Sequence, residues 1–256
     1  MSGDAAAHPT GLGVAIVTGG GRRIGAAIAR RLARDGRSVL IHHRGATEEA
    51  DALATSIVAA GGTAATVAAD LADPGCARIV LDAARRLGHP GLLVNNASLF
   101  VSDAVGSIDP GTWDRLFAVN LRAPALLAQA FAAAAQGEDP SIVNIVDQRV
   151  WRLTPQHFSY TLTKAALHTA TITMAQALAP RIRVNAVGPG PTAPNPTDGE
   201  KGLAREAQGT PMGRAVKADE IAEAVAYLAG ARAVTGQMIA VDSGQHLGWR
   251  TPDIVD

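Results

Sequence analysis

Short apolar runs alternate with amphipathic stretches along nearly the whole chain. The first run, Gly13-Val14-Ala15-Ile16-Val17-Thr18, ends in a glycine cluster and predicts a buried strand. Ile24, Ala27, Ile28, Arg31 and Leu32 mark a helix packed on a sheet. A second strand over 37–43, a helix over 46–60 closed by Gly61-Gly62, and a third strand over 63–69 follow. Asp73-Pro74 predicts the opening of a third helix, with Asp as N-cap and Pro at the first helical position. Leu92-Leu93-Val94 reads as strand four, 112–135 as a long helix and 141–146 as strand five. A helix running to about residue 179 carries Tyr160, and strand six covers 181–187. Residues 188–196, rich in Pro and Gly, read as a loop over the site. A helix at 218–229 and a strand at 237–241 finish the core.

This order predicts an α/β fold: a single-domain, Rossmann-type, doubly wound parallel sheet of about seven strands with helices on both faces. The domain is expected to span 11–256, after a flexible tail at 1–10. Such a sheet binds ligands beyond the C-terminal ends of its strands, and the motifs below fall at such ends. Lys plus Arg and Asp plus Glu both total 23, so the formal charge is zero and a strongly basic nucleic-acid binder is not expected. Cys76 is the only cysteine, which suits a reducing compartment. Residues 1–10 lack an apolar h-region, and no run is expected to reach the roughly 18 apolar residues of a membrane span. The expectation is a cytoplasmic protein, without membrane or nucleic-acid partners.

Between strand one and helix one lies Thr18-Gly19-Gly20-Gly21-Arg22-Arg23-Ile24-Gly25. Glycines let backbone approach a pyrophosphate, and the helix N-terminus supplies unpaired N–H groups. A dinucleotide site usually has a carboxylate about 20 residues on, for a ribose hydroxyl. Here that region reads Ile41-His42-His43-Arg44-Gly45. Arg44 and Arg22 can pair with a 2′-phosphate instead, which favours NADPH over NADH; the plainer reading of Arg44 is a solvated surface residue. Asp70-Leu71 follows strand three, where a carboxylate can accept from an adenine amino group. Asn95-Asn96-Ala97 follows strand four and can floor a cofactor site.

Tyr160 and Lys164 are four residues apart, so they project from one helix face. An ammonium near the phenol is expected to lower its pKa and to make Tyr160 a general acid near neutral pH. By itself, Tyr-x-x-x-Lys recurs by chance. Three histidines, His157, His168 and His246, lack metal-ligand spacing, so no metal is expected.

Taken together, Thr-Gly-x-x-x-x-x-Gly at Thr18, Asn95-Asn96-Ala97, Asn120, Tyr160-x-x-x-Lys164 and Asn185 followed by Pro189-Gly190 resemble the short-chain dehydrogenase/reductase superfamily. The resemblance covers 13–244. It implies that Tyr160 is the acid/base, that Lys164 holds the nicotinamide ribose and lowers the Tyr pKa, and that Asn120 extends a proton relay through water. It implies cofactor contacts at Gly19, Ile24, Gly25, Asn96 and Ala97, and near the nicotinamide amide at Pro189, Gly190 and Thr192.

Two positions depart from the superfamily pattern. The usual catalytic Ser, thirteen residues before the Tyr, is Asp147, and the usual middle Gly of the phosphate loop is Arg23. With Asn95-Asn96-Ala97-Ser98-x-Phe100 and His43-Arg44, they look like the pteridine reductase branch, which includes bacterial dihydromonapterin and dihydrofolate reductases. That branch implies that Arg23 bridges cofactor phosphate and pterin. It also implies that Phe100 stacks on the pterin, that Ser98 contacts ligand and cofactor, and that Asp147 joins Tyr160 in proton delivery. It further implies a homotetramer whose C-termini reach neighbouring pockets, with Trp249 interfacial. Residues 198–212 read as a lid over substrate.

The chemistry agrees. An ionised carboxylate at Asp147 would repel a developing alkoxide, whereas a ring imine accepts hydride at carbon and needs a proton at nitrogen. The expected activity is NADPH-dependent reduction of a pterin-like heteroaromatic ring, such as dihydrobiopterin, dihydromonapterin or dihydrofolate. Two alternatives stay open: a carbonyl/alcohol oxidoreductase of the same superfamily, and a non-catalytic NADPH-binding protein. Phe100 as a core residue, Arg23 as a surface residue and Asp147 as a turn residue are the plainer readings of those positions.

Overall fold

The computed structural model describes residues 12–194 and 199–249. The expected tail at 1–10, and part of the stretch read as a lid, lie outside the described residues. Seven parallel strands form one sheet in the order β3-β2-β1-β4-β5-β6-β7. They are β1 (Val14–Val17), β2 (Val39–His43), β3 (Ala64–Ala68), β4 (Pro90–Asn95), β5 (Ser141–Ile145), β6 (Arg183–Pro189) and β7 (Met238–Val241). Strands β1, β2, β4, β5 and β6 are buried at every position. That is why they read as continuous apolar runs rather than as alternating ones.

Helices α1 (Arg23–Arg34), α2 (Thr47–Ala59), α3 (Cys76–Leu87), α4 (Pro110–Phe117), α5 (Ala123–Ala134), α6 (Phe158–Leu178), α7 (Gly199–Gln208) and α8 (Ala218–Gly230) accompany the strands. One apolar layer joins α1, α2 and α8 to the sheet, and a second joins α3 and α5 to the other face. The strand order reverses between β1 and β4, so the crevice at their C-terminal ends is the place where this topology receives ligands.

Four expectations need correction. Asp73 does not cap α3: its Oδ1 accepts from the Gly75 N–H at 2.7 Å, and the helix begins at Cys76 after that turn. The long helix expected over 112–135 is two α segments joined by a π turn at Ala118–Arg122, which contains Asn120. Gly188 and Pro189, expected in a loop, pair with Ala240 and Val241 as the end of β6. Finally, Pro110–Ala134 is long and apolar enough to cross a membrane by length and composition, contrary to the reading of the runs. Half of that stretch is buried inside the protein, and Leu127 and Phe131 belong to the core cluster with β4 and β5, so its apolarity has a packing cause.

Candidate active site

A cavity of about 750 Å³ opens at the C-terminal ends of β1, β2, β4, β5 and β6. Every residue that the sequence proposes for the site, Asn95 and Asn120 excepted, lines it.

The floor is the turn between β1 and α1. Gly19 has φ +60°, and a Cβ on Gly25 would lie 2.2 Å from the Gly19 carbonyl oxygen, so both positions require glycine. Arg23 adopts φ +52°, an unusual conformation for a residue with a side chain, and its Nη2 donates to the Pro194 carbonyl at 3.0 Å. The first backbone N–H groups of an α-helix have no intrahelical partner, and α1 opens at this cavity with Arg23, Ile24 and Gly25 in its wall. Asn96 fixes the loop from behind, with Nδ2 donating to the Thr18 and Gly19 carbonyls at 2.8 and 3.1 Å. Asn95 turns away instead, donating to Asn144 Oδ1 at 2.9 Å.

At the β2 end, Arg44 is exposed, and His43 is buried with an Nδ1 that has no hydrogen-bond partner among the described residues. A buried acceptor or donor beside an arginine, with no carboxylate immediately after β2 and Glu49 next in the wall from α2, fits a phosphorylated ribose better than a bare one. Asp70 lies at the β3 end. Its two oxygens already accept from the Ala72 N–H at 2.9 Å and the Arg115 guanidinium at 3.0 Å, so an adenine amino group would compete with or add to these bonds.

The other half of the cavity carries the reactive groups. Tyr160 stands on the first turn of α6, buried, and its hydroxyl donates to Asp147 Oδ2 at 2.8 Å. Asp147 lies just past β5, half-buried against the cavity, and its Oδ1 accepts from the Arg149 backbone N–H at 2.8 Å. Lys164, one turn below Tyr160, is buried and donates Nζ–H to the Ile145 carbonyl at 2.8 Å. Burial lowers the Lys164 pKa to about 8, with Asp147 opposing.

The expected depression of the Tyr160 pKa does not occur. Burial first, and then the charge and hydrogen bond of Asp147, push the phenol well above its ordinary value. The Lys164 ammonium sits 5.7 Å from the Tyr160 ring centroid and spends a proton on a backbone carbonyl. Asp147 is therefore the ionisable group in direct contact with the hydroxyl. Burial also raises the Asp147 carboxyl, against the pull of Arg149. Both members of the pair thus hold their protons to higher pH than isolated groups would.

Phe100 lies beside this pair. Its ring centroid is 4.7 Å from that of Tyr160, edge to face, and 4.4 Å from that of His157. Ser98 precedes it on the same loop. Asn120 is fully buried under that loop rather than in the cavity wall. Its Oδ1 accepts from Leu99 N–H at 2.8 Å, and its Nδ2 donates to the Leu99 carbonyl and Thr163 Oγ1 at 2.9 and 3.1 Å. The Asn120 amide therefore clamps the Phe100 loop, and its side-chain donors are committed. Pro189, Gly190 and Thr192 complete the wall, and a Cβ on Gly190 would meet Asp242 Cα at 2.6 Å.

The sequence reading missed His42, Arg149, Glu206 and Gln245, all of which line the cavity. Arg149 lay two residues from Asp147, and that proximity was the available signal. Glu206 comes from α7, where no helix was expected. Among the described residues, no group of three or more His, Cys, Asp or Glu could hold a metal ion.

The family profile described as enoyl-(acyl carrier protein) reductase matches residues 19–246. An uncharacterised oxidoreductase of Methylorubrum extorquens is 40% identical over 240 residues, covering 90% of this chain and 96% of that protein. The 3-oxoacyl-[acyl-carrier-protein] reductase FabG of Staphylococcus aureus is 30% identical, covering 91% and 98%. Among solved structures, FolM alternative dihydrofolate reductase 1 from Brucella canis, complexed with NADP, superposes with a TM-score of 0.92 at 48% identity. That match covers 98% of this chain and 100% of that one.

Proposed function

This chain belongs to the short-chain dehydrogenase/reductase family of oxidoreductases, and from that premise we propose that it is an NADPH-dependent reductase of pterins. Its substrates would be dihydropteridines of the class of dihydrobiopterin, dihydromonapterin or dihydrofolate. The cofactor is NADP(H), and it supplies the hydride when bound. Gly19, Arg22, Arg23, Ile24 and Gly25 hold its pyrophosphate, Arg44 its 2′-phosphate, and Asp70, Leu71, Asn96 and Ala97 line its adenosine side. Lys164, Pro189, Gly190 and Thr192 border the nicotinamide half.

The observation that carries the substrate class is the Tyr160–Asp147 hydrogen bond of 2.8 Å with the Phe100 ring beside it. A ring imine needs a proton at nitrogen as hydride arrives at carbon, and Tyr160 delivers it. The phenolate left behind would face Asp147. If that carboxyl were ionised, the two anions would repel at hydrogen-bonding distance. A protonated Asp147 instead passes its proton to the phenolate, and burial favours that protonated form. Phe100 offers a flat apolar face to the ring, while Ser98 and Arg23 supply polar contacts at its edges. The FolM resemblance supports the same class. A homotetramer belongs to this proposal, and sedimentation of the purified protein tests it.

The test of activity is turnover. Purified protein is mixed with NADPH and each of dihydrobiopterin, dihydromonapterin and dihydrofolate, and NADPH absorbance is followed. Oxidation of NADPH with at least one of them is expected. Turnover of a ketone and of none of the three would overturn the reading. The resemblance to FabG favours a second reading, carbonyl reduction with Asp147 in place of the usual hydroxyl. On that reading Asp147→Ser raises ketone turnover, whereas on the pterin reading it lowers pterin turnover.

A further inference from the structure

His42, the penultimate residue of β2, lies beneath the glycine loop with 2% of its surface exposed. Its imidazole makes two hydrogen bonds to different parts of the sheet edge. Nδ1 is 3.1 Å from the Gly19 backbone nitrogen and accepts from that N–H. With Nδ1 occupied as an acceptor, Nε2 carries the proton and donates to the Ala69 carbonyl at 3.1 Å. The His42 backbone carbonyl also accepts from the Gly20 N–H at 2.9 Å. One residue thus takes both amides at the start of the loop and ties them to the end of β3.

This arrangement changes what the loop can offer a phosphate. The Gly19 and Gly20 amides are turned down into the sheet, so the donors left for an anion come from the α1 terminus beyond them. Gly19 at φ +60° is the point where the chain reverses, and the imidazole fixes its amide in that orientation. Burial lowers the imidazole pKa to about 4, so the ring stays neutral and keeps its Nδ1 lone pair under ordinary conditions.

We propose that the His42 side chain is a positioning residue for the dinucleotide: a two-sided strut that holds the glycine loop in its phosphate-accepting shape. The proposal rests on the dinucleotide reading of the cavity and is independent of the substrate. His42 touches no reacting atom, so its effect falls on cofactor binding rather than on the chemical step.

Three variants separate the two bonds. His42→Asn keeps an acceptor near the Nδ1 position and loses the contact to Ala69. His42→Gln keeps a donor near the Nε2 position and leaves the Gly19 N–H buried without an acceptor. His42→Leu loses both. NADPH dissociation constants come from cofactor fluorescence, kcat is measured at saturating NADPH, and thermal melts verify folding. The expected result is NADPH affinity weakened roughly tenfold in His42→Gln and His42→Leu, within about threefold of wild type in His42→Asn, and kcat within about twofold throughout. A folded His42→Gln that binds NADPH as wild type does would overturn the proposal. So would a His42→Asn as impaired as His42→Leu, and this arm decides if His42→Gln fails to fold. Wild-type protein that does not bind NADPH would overturn the dinucleotide reading itself.

Discussion

Replacing Asp147 with Asn tests the proton pair at its weakest point. The substitution is nearly isosteric and leaves an oxygen for the Arg149 N–H, so the turn after β5 survives. The amide then presents its NH₂ toward the Tyr160 oxygen, where the carboxyl accepted a hydrogen bond before. It can neither hold nor pass on an acid proton. General acid catalysis contributes about 10²–10⁴-fold, and Tyr160 retains part of it. The expected loss in kcat for dihydropteridine is therefore near the lower bound, about 100-fold, or roughly 2.7 kcal/mol of barrier. The KM for NADPH should be unchanged.

Stability should move the other way. Burial raises the Asp147 carboxyl in the folded chain, so the native state binds its proton more tightly than the unfolded state does. Ionised Asp147 then destabilises wild type above its folded pKa, and that cost disappears as pH falls below the unfolded pKa. Asp147→Asn should melt higher than wild type at pH 8, with the difference shrinking toward acid. Wild-type kcat/KM should fall as pH rises through the raised carboxyl pKa, and the variant should lack that limb. The assay is NADPH oxidation from pH 5 to 9, paired with melting curves. A variant within about threefold of wild-type kcat, with the same pH profile, would refute proton delivery by the pair.

Arg44→Glu should raise the NADPH KM by about tenfold or more and shift the preference toward NADH; an unchanged NADPH/NADH ratio of kcat/KM removes Arg44 from the phosphate site. Phe100→Ala should raise the pterin KM by about tenfold, since the aromatic face and its two ring contacts are lost, while NADPH affinity holds. Equal loss for pterin and cofactor would mean that Phe100 only supports the loop. Gly25→Ala places a Cβ 2.2 Å from the Gly19 oxygen. It should cost about 1–3 kcal/mol of stability and at least about tenfold in NADPH affinity, read from melts and titration, and wild-type values of both would show that the loop yields without strain.

The strands were legible because the sheet is covered on both faces, which turns each central strand into an apolar run. Their ends slipped by one or two residues where polar residues continue the ladder, as Asn95 does opposite Asn144. Helix α7 was not legible as a helix. Its sequence, Gly-Glu-Lys-Gly-Leu-Ala-Arg-Glu-Ala-Gln, carries two glycines and many charges. Only Leu203 and Ala207, four apart and turned inward, gave a helical signal. Asn120 was recognised by position, yet its amide serves the Phe100 loop, a partnership between distant segments that no local pattern encodes. His42 was invisible for a similar reason: its partners are the turn after β1 and the end of β3, 23 and 27 residues away.

The Tyr160–Lys164 spacing shows how far a motif reaches. Four residues on a helix guarantee a shared face, and from that the sequence predicts an ammonium acting on a phenol. The direction of the effect depends on what else the fold brings to the hydroxyl. Here β5 ends so that Asp147 meets it at 2.8 Å, while Lys164 is drawn to the Ile145 carbonyl of the same strand. The end of β5 therefore engages both partners at once: the Asp147 carboxyl, two residues past the strand, takes the phenol, and the strand's last carbonyl takes the lysine. In the usual arrangement with Ser in place of Asp147, the hydroxyl neighbour is neutral and the lysine charge is unopposed. With a carboxyl there, the phenol holds its proton more tightly, and on the proposed function an imine nitrogen, more basic than a carbonyl oxygen, would be the acceptor able to take it. On the proposed function, the change from hydroxyl to carboxyl just past one strand would thus select the kind of double bond reduced.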